Sequence, residues 1–172
     1  MAHNFEDLKP FDREGLIQAI IETPKGHRSK YSYEEKLGLF RLKSSLPAGM
    51  VFPFDFGFIP GTRGEDGDPL DILVLMDEPA TQGSLVPARL IAVIQAEQTE
   101  KGKTDRNDRL IGVAAAAHDY RSVESPEQLS KDLIEEIEHF FISYNEMAGK
   151  QFKPIGRDGV AAARSIIEKG RR

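Results

Sequence analysis

The hydrophobic period changes once along this chain, and that change bounds the fold more tightly than any single motif. Up to residue 116 the apolar residues come in short runs: LIQAIIE (16–22), KLGLFRL (36–42), DILVLM (71–76), LVPARLIAVIQAE (85–97) and RLIGVAAA (109–116). Runs of this length, bounded by turn residues, are strands. The first two are separated by a loop holding Pro24, Gly26, His27, Arg28 and Lys30. GMVFPFDFGFIPGT (49–62) is aromatic-rich but interrupted by Pro53, Gly57 and Pro60, which suits short extended pieces joined by turns. From Ser125 the period becomes helical. Ser125-Pro126-Glu127-Gln128 has the form of a capping box with Pro at the first helical position. Leu129, Leu133, Ile134, Ile137, Phe140, Phe141 and Tyr144 then recur on one face, and Gly149 ends the helix. A second, shorter helix is expected over 158–169, capped by Asp158, with Val160, Ala163, Ile166 and Ile167 inward. Five or six strands followed by two helices predict an α+β domain, the strands forming a small barrel rather than a sandwich.

Length and charge narrow the function classes. A chain of 172 residues, 40% hydrophobic, is long enough for one buried core and short for two, so a single domain over 1–172 is expected, with residues 1–15 as an arm. The absence of Cys excludes a disulfide framework, a thiolate metal site and a cysteine nucleophile, and suits a reducing cytoplasm. No basic leader with an apolar run opens the chain and no 18 apolar residues stand together, so a soluble cytoplasmic protein without membrane contact is expected. A net charge of −5 with mixed signs argues against nucleic acid as a partner. An acidic protein can still hold an anion through local basic groups or bridging cations.

The segment EDGDPLDILVL (65–75) carries the chemistry. A lone Asp-Gly pair before a strand is ordinarily a solvated turn. Here Asp66, Asp68 and Asp71 fall within six residues, and Pro69 stiffens the segment. Carboxylates held this close repel unless something positive sits among them, and all-oxygen donors select a hard ion: Mg²⁺ or Mn²⁺, with Ca²⁺ a further option. An EF-hand is excluded, because counting from Asp66 puts Leu70, Asp71 and Asp77 where the loop needs an oxygen ligand, Gly and Glu. Gly102-Lys103-Thr104 is not a P-loop, since Glu97 stands where the first Gly belongs. No G-x-S-x-G elbow is present.

Taken with its surroundings, D-G-D-P-L-D before an apolar strand resembles the signature of the soluble family I inorganic pyrophosphatases. Ile21-Glu22-Thr23-Pro24, Ser29-Lys30-Tyr31, the aromatic run at 52–60, and His139-Phe140-Phe141 before Tyr144 follow in that family's order, so the resemblance spans about residues 16–160. It implies a five-stranded OB-like β-barrel with two C-terminal flanking helices. It also implies Mg²⁺-dependent hydrolysis of pyrophosphate, with Mn²⁺ a second option, and a homo-oligomer, a hexamer in bacterial members. By the same resemblance Asp66 and Asp71 are metal ligands, Glu22 contributes to the outer metal shell, and Asp68 is the general base. Lys30 and Tyr144 contact substrate.

The resemblance is that of a divergent member. Ser32 stands where the family has Glu, Lys43 where it has a phosphate-binding Arg, and Phe56 where it has Tyr. The family's Asp-x-Lys becomes Asn107-Asp108-Arg109, and the Lys after the helical Tyr becomes Asn145. Asn107 is thus expected at a metal position and Arg109, with Lys43, on phosphate. QAEQTEKGKTDRND (95–108) is longer than the usual connection, which offers Glu100 as a replacement metal ligand and Asp105 or Asp108 as a substitute for the acid missing at 107. Lys150 or Lys153 similarly stands in for a Lys at 145. On their own, Lys30, Lys43 and Arg109 read as solvated surface charges, and only the family register assigns them to a site. Two functions stay open: a metal-dependent pyrophosphatase, or a protein of the same fold with weakened or lost hydrolysis that binds a phosphate ligand or a protein. Retained Asp68 favours the first.

Overall fold

The computed structural model describes residues 5–172, and residues 1–4 of the expected N-terminal arm lie outside them. Among the described residues nine strands form: β1 (Ile17–Thr23), β2 (Ser29–Glu34), β3 (Leu39–Ser45), β4 (Asp55–Ile59), β5 (Leu70–Leu75), β6 (Leu85–Glu100), β7 (Lys103–Arg106), β8 (Arg109–Ala114) and β9 (Gln151–Gly159). Two α-helices, α1 (Lys131–Met147) and α2 (Val160–Gly170), flank β9 in the chain. β1 pairs with β4, β4 with β5, β5 with β8, β8 with β6, and β6 returns to β1. The ring closes on five strands with one parallel pair, β5–β8, which is the OB-like barrel expected. Closure removes the open edges that an isolated sheet would expose.

Local chemistry accounts for the closure. Ile21 faces Gly57 across β1 and β4, and a Cβ built at Gly57 would lie 1.9 Å from the Ile20 carbonyl oxygen, so only Gly allows the two backbones this close. β6 is long enough to serve two sets of partners. Its start lies between β1 and β8, and its second half pairs with β9 and β7, with register shifts at Leu90/Ala92 and Gln95/Ala96 turning the strand. The β6–β7 hairpin turns at Lys101 and Gly102, both with positive φ (49° and 79°), as a two-residue primed turn requires. The long 95–108 connection is therefore a hairpin. Every residue of β8 is buried, as are four consecutive residues of β5, because helices and β9 cover the ring outside while its own apolar side chains fill it. Ile21, Ile59, Ile72, Leu73, Ile94 and Leu110 are nearly inaccessible; each contributes roughly 1.5–3 kcal/mol by leaving water.

Three boundaries differ from expectation. The Ser125 box closes, with the Gln128 side chain accepting from the Ser125 N–H at 3.1 Å, but it caps only a 3-10 turn at Pro126–Gln128. α1 starts at Lys131, where the Ser130 hydroxyl accepts from the Leu133 N–H at 3.1 Å and provides the actual cap. Asp158 is not a helix cap. It belongs to β9, whose ladder to β6 occupies the backbone up to Gly159, so α2 begins one residue later. Pro154, Gly156 and Gly159 hid this strand in the sequence; Pro154 is accommodated at the register shift. β2 and β3 form a separate two-stranded sheet projecting beside the ring. β2 carries SKYSYE, too polar to register as a strand. Among the described residues no helix is long and apolar enough to cross a membrane.

Candidate active site

The acidic loop is held at its neck. β4 ends at Ile59 and β5 starts at Leu70, and buried Thr62 bridges them: its hydroxyl donates to the Ile59 carbonyl at 2.6 Å and accepts from the Leu70 N–H at 3.1 Å. Arg63 N–H donates to the Gly170 carbonyl at 2.7 Å, and Arg172 N–H to the Gly61 carbonyl at 3.0 Å, tying the same neck to the end of α2. Within the loop, Gly64 N–H donates to the Asp68 carbonyl at 2.7 Å, and Gly67 takes the turn at φ 91°, which a side chain would oppose. The Asp66 carboxylate accepts from the Asp68 N–H at 3.1 Å. Three Asp side chains are thereby presented from a braced loop and the first turn of a barrel strand.

These acids line a cavity of about 610 Å³ together with Glu22 from the end of β1. Burial pushes the Glu22 carboxyl up to about 8, reinforced by the charge of Asp71 and opposed by the Tyr33 N–H, which donates to it at 2.6 Å. Burial also raises Asp71, although Arg109 pulls the other way, and raises Asp66, with Asp71 and Asp68 adding to the effect. Among the described residues no three His, Asp or Glu side chains converge closely enough to hold an ion unaided. The donor set nonetheless fits a hard divalent cation: four carboxylates face one space, and burial, with neighbouring carboxylate charge, raises the pKa of Glu22, Asp66 and Asp71. Positive charge entering that space relieves all three.

The opposite wall is basic and aromatic. β1 docks the β2–β3 hairpin through Glu22 and through the Thr23 hydroxyl, which accepts from the Tyr31 N–H at 3.0 Å. The hairpin brings Lys30, Ser32 and Lys43 to the cavity. Lys30 lies over the Tyr144 ring at 5.1 Å and the Phe56 ring at 5.9 Å, and Lys43 pairs with Glu34 at 3.6 Å. α1 contributes Tyr144 and Asn145; buried Asn145 donates to the Phe141 carbonyl at 2.8 Å, so its amide is absorbed in the helix. Lys150 reaches the cavity, whereas Lys153 does not line it.

Around the 95–108 hairpin the geometry redistributes the expected roles. Glu100 does not line the cavity; it pairs with Lys150 at 3.2 Å at the far end of β6. Asp105 pairs with Lys103, and Asp108 with Arg106 while accepting from the Ala96 N–H; neither lines this cavity, and Asp108 borders instead, with Asp66 and Asp71, an adjoining cavity of about 540 Å³. Gln98, which the sequence did not single out, lines the cavity instead and accepts from the Asn107 amide at 3.0 Å. The strand period of two could have found it, because 98 and 100 share a face and the hairpin turn lies beyond Glu100. Arg109, where the resemblance places a phosphate contact, lines the same cavity; it is only 4% exposed and its guanidinium pairs with Asp71 at 2.6 Å.

Comparison with known proteins bears on the arrangement. The family model for inorganic pyrophosphatase matches residues 19–172. The chain is 34% identical over 157 residues to the inorganic pyrophosphatase of Synechocystis sp., covering 91% of this chain and 90% of that protein. It is 35% identical to the soluble inorganic pyrophosphatase of Zea mays, covering 87% of this chain and 69% of that one. The crystal structure of the inorganic pyrophosphatase from Thermus thermophilus matches with a TM-score of 0.87 at 33% identity, covering 96% of this chain and 95% of that one.

Proposed function

The chain belongs to the inorganic pyrophosphatase family, and from that premise we propose that it hydrolyses pyrophosphate to two phosphates in a metal-dependent reaction. The observation that carries this reading is the opposition, across one cavity, of the four carboxylates to Lys30, Lys43 and Tyr144. Bound Mg²⁺, or Mn²⁺ as a second choice, would supply positive charge among the acids, lower the pKa of a water and neutralise the leaving phosphate. Asp66 and Asp71 would hold such an ion, with Asn107 and Glu22 as neighbouring oxygen donors. Asp68, at the loop's exposed tip, takes the proton of the attacking water. Lys30 and Lys43 hold phosphoryl oxygens by charge, and the Tyr144 hydroxyl adds a neutral donor. Phe52 and Phe140 pack against Tyr144, fixing its ring. We further propose that the described fold acts as a single domain, works in the cytoplasm and assembles as a homo-oligomer, a hexamer by family resemblance.

The substitutions at Ser32, Lys43, Phe56, Asn107 and Asn145 alter contacts around the cavity but leave Glu22, Asp66, Asp68 and Asp71 in place, so a lower rate is expected rather than lost chemistry. The test is phosphate release from pyrophosphate with Mg²⁺, comparing wild type with Asp68→Asn, alongside calorimetric binding of pyrophosphate. Turnover falling ~10²–10⁴-fold in the variant with binding retained is expected. Binding by the wild type with no turnover above the variant would point instead to a phosphate-binding module.

A further inference from the structure

We propose that Arg109 is a built-in cation of the acidic site, occupying the place where Asp71 and residue 107 would otherwise share a divalent ion, so that this chain binds one ion fewer than the same cavity with Asp at 107 and Lys at 109. The inference rests on the metal-dependent reading above. The Arg109 Nη1 atom lies 2.6 Å from Asp71 Oδ2 and also donates to the Asn107 side-chain oxygen. It therefore bridges the two positions. Asn107 commits its amide to Gln98 at 3.0 Å, so a run of neutral amides and one guanidinium leads from β6 to Asp71.

The guanidinium is not free to withdraw. Its central carbon lies 4.7 Å from the Phe141 ring centre and 5.1 Å from that of Phe152, which places aromatic faces against a side chain 4% exposed. Arg109 Nε is buried without a partner, an unfavourable arrangement that persists because the Nη1 contacts and ring faces hold the group in place. Charge points the same way. Asp at 107 with Lys at 109 sums to zero, whereas Asn107 with Arg109 sums to +1, so the cavity already holds part of the compensation a divalent ion would bring. A Lys at 109 would be a point charge on a flexible stem, able to swing aside for an ion; the planar Arg fork, stacked and paired, is not.

Mn²⁺ is the probe, and ions bound per chain are counted by equilibrium dialysis with free Mn²⁺ read by electron paramagnetic resonance, without substrate. Asn107→Asp/Arg109→Lys is expected to bind one more equivalent than wild type. Asn107→Asp alone, where Arg109 still pairs with both carboxylates, is expected to gain none. Equal counts for wild type and the double variant, or the full gain from Asn107→Asp alone, would overturn the inference while leaving the metal reading intact. No Mn²⁺ bound by wild type would overturn both. Should the double variant not fold, Arg109→Lys decides: Mn²⁺ affinity rising ~10-fold supports the tethered cation, and unchanged affinity refutes it.

Discussion

Glu22→Gln separates the chemistry of the cavity from its cost to the fold. Glu22 is 7% exposed, and its carboxyl is pushed up to about 8 in the folded chain from an ordinary 4.5, chiefly by burial. The folded state thus keeps a proton that the unfolded state has released. Between pH 4.5 and 8 the unfolded chain binds fewer protons, so stability is highest below the unfolded value and falls as pH rises towards the folded one. Over that window the loss is on the order of 5 kcal/mol, and it stays constant above it. Gln retains the shape and the oxygen that accepts from Tyr33 but carries no charge to desolvate. In metal-free protein at pH 9 the variant should be more stable than wild type, by up to ~10–20 °C in Tm, and the two should converge near pH 5. Asp71 is coupled to Glu22 through charge, so removing the Glu22 charge also eases ionisation of Asp71, which adds to the variant's advantage at high pH. The assay is thermal unfolding in EDTA from pH 5 to 9, at equal protein concentration because assembly also shifts Tm. Parallel curves across that range would show that Glu22 is not held protonated by burial, and the electrostatic description of the cavity would fail with it.

Other side chains give separable outcomes. Lys30→Met removes a charge-assisted contact to phosphate and should lower kcat/KM for pyrophosphate by ~10–100-fold in steady-state assays, with little change in Tm. Thr62→Val leaves the part-buried Leu70 N–H without its acceptor and should cost ~1–2 kcal/mol, read as a lower urea midpoint, while weakening Mn²⁺ binding as the acidic loop loosens. Phe141→Ala opens the space between α1, Phe56 and Phe152 and should cost ~3–5 kcal/mol in urea unfolding with an unchanged m-value. Asp55, buried and accepting from the Lys25 and Ala80 N–H groups, has no part in the cavity; Asp55→Ala should destabilise by ~1–3 kcal/mol with kcat unchanged.

The barrel was legible because its five ring strands are apolar on both faces or nearly so, and burial writes itself into composition. β2, β7 and β9 were not, because each is a polar or Pro- and Gly-containing segment: β2 and β7 are polar arms of local hairpins, and β9 takes its hydrogen bonds from β6, distant in sequence, so nothing local announces KTDR or QFKPIGRDG as strands. The start of α1 was misplaced for a related reason. Ser125 and Ser130 are both competent caps, and packing of the intervening residues, not propensity, selects the second. In the site, the acidic loop was readable since its carboxylates are close in sequence. Gln98, Thr62 and the engagement of Arg109 by Asp71 were hidden, because each depends on which residues a bent β6 and its hairpin bring face to face.

The most direct test of the central claim is the initial rate of phosphate release from pyrophosphate as Mg²⁺ is added back to EDTA-treated protein. No rate above background without metal, a saturable rise with Mg²⁺, and loss of that rise in Asp68→Asn are predicted. Phosphate release that ignores Mg²⁺, or none at any divalent-ion concentration from folded wild-type protein, would contradict the reading of this cavity as a metal-dependent pyrophosphatase site.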